Sequence, residues 1–83
     1  MDASKITTAT GMCVIALTKH IMKKDQIDNE HAYRKLLESE LYKLLNDPET
    51  RLFLENNNYL CEAYDVECRE GKDGLYYFIN MDV

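Results

Sequence analysis

The chain has no segment long and apolar enough to cross a bilayer. Its longest uncharged run covers residues 6–18, thirteen in all. As a helix that run measures roughly 20 Å, against a hydrocarbon core of about 30 Å. It also fits a secretory leader poorly, because Lys19, His20, Lys23 and Lys24 follow where a small-residue cleavage site belongs. Cysteine is sparse and odd in number. Cys13, Cys61 and Cys68 form no close pair and do not read as a disulfide framework, so the expected setting is a reducing cytoplasm.

The usual sequence signatures of chemistry are missing as well. His20 and His31 make no HxxxH pair and, with the three cysteines, do not assemble four ligands at metal-site spacing. Asp25, Asp28 and Glu30 lack the alternating oxygens and glycine bend of a calcium loop. There is no nucleophile elbow, phosphate loop or dinucleotide fingerprint. In 83 residues there is little room for a pocket of several hundred Å3. The expectation is a protein with no catalytic residues, no metal, no cofactor and no enzyme activity. Without repeats, linkers or low-complexity segments, residues 1–83 read as a single domain.

What is present is acidic. The formal net charge is −5, from 10 basic and 15 acidic residues. The charge is uneven: residues 1–26 carry four lysines and two aspartates, the remainder six basic and thirteen acidic side chains. An acidic body repels phosphate backbones, so nucleic acid is a disfavoured partner.

Residues 3–24 predict a first helix, capped by Asp2 or Ser4 and striped by Ile6, Thr10, Cys13, Leu17 and Ile21 at steps of three and four. Met12, Val14, Ile15 and Met22 fall outside that stripe, so this helix needs cover on more than one side. A second helix starts at Asp28 or Asn29 and runs toward residue 46, with Tyr33, Leu36, Leu37, Leu41, Leu44 and Leu45 on its buried face. Glu40 lands on the same face if the helix is straight, which calls for a break or bend near Ser39, so residues 28–46 read as one bent helix or two short ones. Asp47-Pro48-Glu49 restarts a short third helix over 48–56, since Pro48 fits a first helical position. Asn56-Asn57-Asn58 then ends it, because asparagine tolerates left-handed backbone.

Beyond Asn58 the pattern changes. Tyr64, Val66 and Cys68 alternate with Asp65, Glu67 and Arg69, a period of two. Glu70-Gly71-Lys72-Asp73-Gly74 is a turn cluster, and residues 75–79 are branched and aromatic. The sequence thus predicts an α+β fold: a three- to four-helix bundle over 3–57 and an antiparallel β-hairpin over 63–81. Residues 28–81 laid out in this way resemble a winged-helix domain, with the hairpin as wing. The helix before it would read DNA with Arg51 as its sole cation, beside Glu49 and Glu55.

Two features favour protein association. One is the surplus apolar surface of helix 1, at Met12, Ile15 and Met22; methionine adapts to irregular partner surfaces. The other is the uncharged run from Leu75 through Tyr77 and Ile79, which as a hairpin strand would leave an unpaired edge. These six residues are the interface candidates. The expected function is a non-catalytic, cytoplasmic, bacterial-type protein-interaction or regulatory module, a homodimer or the small partner of a larger protein. The alternative is a winged-helix transcriptional regulator.

Overall fold

The computed structural model describes residues 3–81, and every regular element among them is helical. In chain order these are α1 (Ala3–Asp25), α2 (Asn29–Leu37), α3 (Glu40–Leu45), two 3-10 turns (Pro48–Thr50 and Leu52–Leu54) and α4 (Asn57–Met81), which is broken at Gly71.

Helix α1 buries Cys13, Leu17, Thr18 and Ile21, a stripe at steps of three and four. Its threonines do not compete with the helix. The hydroxyls of Thr7, Thr8 and Thr18 donate to the carbonyls of Ala3, Ser4 and Val14, four residues back. Ser4 lies inside the helix, and the alternative cap Asp2 falls outside the described residues. At the other end Gln26 takes a left-handed conformation (φ 54°), and the Ile27 N–H donates to the Met22 carbonyl at 3.2 Å. This is a Schellman stop, with Ile27 and Met22 both packed against the core.

Of the two readings near Ser39, a bend or a break, the structure has the break, with two short helices. Asp28 caps α2 by accepting the His31 N–H at 2.9 Å. Ser39 caps α3, accepting the Tyr42 N–H while its hydroxyl donates to the Leu36 carbonyl at 2.6 Å. The restart rotates the helix, so Leu36, Leu41 and Leu45 are buried while Tyr33 and Leu37 are exposed. It also resolves Glu40: the Tyr76 hydroxyl donates to its carboxylate at 2.6 Å.

The third helix predicted over 48–56 does not form. Asp47 accepts the Glu49 N–H and Pro48 takes the first position, as the sequence suggests. Arg51 then turns left-handed (φ 57°), splitting the segment into two 3-10 turns that drop Leu52 and Phe53 into the core. Asn56 does not end a helix but starts one: its side chain accepts the Tyr59 N–H at 2.8 Å. Asparagine serves at either end of a helix, and here the capping bond decides.

The β-hairpin over 63–81 is overturned. Among the described residues there is no strand, and the fold is helical rather than α+β. The turn cluster does reverse the chain, but between two helical arms, 57–70 and 72–81. Tyr59 and Phe78 would lie about 28 Å apart in one straight helix, yet their ring centroids are 5.3 Å apart. Gly71 (φ 81°, ψ −172°) makes the reversal in backbone space that side chains disfavour. Gly74 admits the close approach that follows, because a Cβ there would collide with that of Glu70. The alternation at 64–68 is too short to define a strand. Over a wider window Leu60, Ala63 and Tyr64, then Leu75, Phe78 and Ile79, step by three and four.

Leu17, Ile21, Leu36, Leu41, Leu45, Leu60 and Leu75 form the fully buried centre. Each contributes about 1.5–3 kcal/mol by leaving water. The centre sits where α1 meets α2, α4 and the second 3-10 turn.

Candidate interaction surface

Three sides of α1 do different things. The first is the core stripe. The second carries Ile6, Thr10 and Val14, which with Tyr33, Tyr42, Asn46 and Pro48 line a groove of about 430 Å3. The groove continues in both directions. Val14 and Tyr33 also border a hollow with Ile15, Thr18, Lys19 and Asn29. Ile6 and Pro48 also border one with Arg51, Phe53 and Leu54.

The third side faces outward and carries Met12 and Ile15, 67% and 57% exposed. Three residues apart, they share one face. Gly11, between this side and the groove that it also lines, is exposed, and a side chain at its position would meet nothing within 4 Å. No charge interrupts α1 between Lys5 and Lys19.

The remaining interface candidates divide. Tyr77 is 69% exposed and borders the crease between the arms of α4, with Glu62, Asp65, Val66, Arg69 and Phe78. Met22 and Ile79 are half-buried against the core. Leu75 is fully buried, so it has no surface to offer. The argument that selected residues 75–81, an unpaired strand edge, lapses with the strand. The wing needed for the DNA-reading alternative is likewise missing among the described residues.

Polar contacts between α1 and α4 hold the arrangement. Asp65 Oδ1 lies 2.9 Å from His20 Nε2 and accepts a hydrogen bond from Lys24 Nζ at 3.0 Å. Burial pushes the Asp65 carboxyl up, but the bonds from His20 and Lys24 outweigh it and hold the group below its ordinary range. Burial likewise pushes Lys24 down, and Asp65 more than restores it, so its ammonium is held above the usual value. The same ammonium lies 5.6 Å from the Tyr64 ring centre.

The thiols of Cys13 and Cys61 are pushed up by burial, which keeps them protonated and weakly nucleophilic at neutral pH. Cys13 donates to the Phe53 carbonyl at 3.7 Å. Among the described residues no three His, Cys, Asp or Glu side chains are placed to hold a metal ion, and no helix is long and apolar enough to cross a membrane.

Comparison of the chain with protein-family models, curated proteins and solved structures finds no match. Its own surface therefore carries the functional argument.

Sequence reasoning missed the groove. Tyr33 was expected in the core, and its exposure follows from the restart at Ser39. Leu54 was not singled out, and the left-handed Arg51 leaves it 57% exposed. The one linear signal was Val14, apolar and off the main stripe of α1.

Proposed function

We propose that this chain is a non-catalytic protein-interaction module that self-associates through the outward face of α1. The observation that carries the reading is the exposed pair Met12 and Ile15 beside the open position at Gly11. Large apolar groups at the centre of a contact supply most of its energy, and a neighbouring glycine lets two backbones approach.

The occupant we assign to this face is a second copy of the chain. In a two-fold contact the same patch meets itself. With the axis near residues 11–15, the uncharged middle of one α1 lies on the uncharged middle of the other. Helices that pack with a crossing angle of about 50° diverge from the crossing point, which carries Lys5 and Lys19 away from their counterparts. The three cysteines are unpaired thiols, consistent with the reducing cytoplasm that forms part of this proposal.

Sedimentation of the wild-type chain and of Ile15→Glu tests it. The wild type should sediment with twice the 9.7 kDa chain mass. Ile15→Glu should sediment as a monomer with its helical circular dichroism intact. A wild type that stays monomeric at hundreds of micromolar refutes self-association. A variant that loses its cooperative thermal transition puts Ile15 in the core instead.

A further inference from the structure

We infer that the groove along α1 receives a helical segment of a partner protein, one that is apolar in its middle and acidic at both ends. This surface adjoins the outward face of α1, and Gly11 and Ile15 border both, but the two proposals are read out by different measurements and each can fail without the other.

The first argument is charge. The chain carries 15 acidic residues, yet none of the described ones lines the groove or its two extensions. The middle is uncharged: Ile6, Val14, Tyr33 and Tyr42 supply its apolar surface, and Thr10 and Asn46 its polar atoms. The two charges that border it stand at opposite ends, Lys19 in one extension and Arg51 in the other. Both are exposed, and neither pairs with a carboxylate among the described residues. Arg51 stands two residues after Glu49 and four before Glu55, in left-handed backbone that a non-glycine residue adopts at a cost. An occupant with carboxylates at its two ends answers both cations.

The second argument is shape. Residues 3–19 of α1 span about 24 Å, the length of four to five turns of helix. The walls of the groove are helices whose backbone groups bond within themselves, so they offer no edge to an extended peptide. A helix brings its own backbone bonds already satisfied and needs only apolar contact in the groove.

The third argument excludes the nearest competitor. The α1 of a second copy would carry Lys5 and Lys19 toward Lys19 and Arg51, setting like charges at both ends. Nucleic acid is excluded in the same way, because the middle of the groove offers no cation for a phosphate.

The test uses the full chain against a display library of helical 18-residue peptides, randomised at both the central and the terminal positions. Selected peptides should carry apolar residues at i, i+3, i+4 and i+7 and Asp or Glu at both ends. They should bind the Lys19→Glu/Arg51→Glu variant about ten-fold more weakly, the scale of two exposed ion pairs turned repulsive. Circular dichroism of the variant serves as the fold control. In amide spectra of the wild type, the signals of Val14, Tyr33 and Tyr42 should move on peptide addition. Failure to enrich any peptide overturns the proposal. So does enrichment of peptides with neutral or basic ends, or movement confined to Met12 and Tyr77. Because the readout is peptide binding and not sedimentation, it stands apart from the test of self-association.

Discussion

Removing the Glu67 carboxylate should destabilise the fold by unmaking a helix cap supplied from another helix. Glu67 lies on the first arm of α4, and its two oxygens accept the N–H groups of Glu40 at 2.8 Å and Leu41 at 2.9 Å. Those are the first two donors of α3, which have no partner inside their own helix. A six-residue helix has little propensity to form alone, so α3 depends on this bond pair and on the Ser39 cap. A hydrogen bond to a charged group contributes about 1.5–3 kcal/mol when buried, and half-burial here reduces that. For Glu67→Ala the expected loss is therefore about 2 kcal/mol, against a total of roughly 4–12 kcal/mol for a domain of this size. The thermal midpoint should fall by about 8–16 °C. Glu67→Gln keeps one good acceptor and should lose about half as much. Urea unfolding gives the free energies, and hydrogen exchange locates the loss. The amides of Glu40 and Leu41 should exchange faster in Glu67→Ala than those of Leu17 and Ile21. A loss below about 0.5 kcal/mol, or unchanged protection at Glu40 and Leu41, would refute the capping role.

Two further outcomes follow from the same framework. Gly71→Ala forces a side chain into the φ 81° backbone of the chain reversal. It should cost about 1–3 kcal/mol in urea unfolding, and a neutral result would mean the arms of α4 join differently. The Asp65 cluster makes stability depend on pH. The folded-state carboxyl is held below its unfolded value, so its contribution is fully present above the unfolded range near 4 and is lost as pH falls through the lower folded value. Asp65→Asn should flatten that acid limb of the urea midpoint against pH, and an unchanged limb would show that other carboxylates dominate it.

The helical half of the fold was legible wherever a side chain has a single structural use. Pro48 after Asp47 marks a start, and Asp28 marks the start of α2. The misplaced Glu40 correctly signalled a break near Ser39. Legibility failed where one residue type serves two ends. Asparagine caps a helix at either terminus, so Asn56 reads as a stop in the sequence and is a start in the structure. The turn at 70–74 was located correctly, but glycine reverses a pair of helices as readily as a pair of strands. Three alternating residues at 64, 66 and 68 then tipped the reading to β. Cys68 is exposed and Glu67 is tied to α3, and neither fact is visible to a period count.

The surface was less legible than the fold, for a related physical reason. An off-stripe apolar residue on a helix has three destinations: a second core contact, a groove wall or open solvent. Met22 takes the first, Val14 the first and second together, Met12 the third, and Ile15 faces solvent while bordering an extension of the groove. Which one applies depends on the neighbours that fold against α1, and those are positioned by the Schellman stop at Gln26 and the restart at Ser39. Rotating α2 relative to α3 exposes Tyr33 over the flank of α1 and so opens the groove. Two local backbone events thus decide the shape of the surface proposed to bind. Substitutions at Gln26 or Ser39, neither of which lines the groove, should alter its binding more than conservative changes at Thr7, which does.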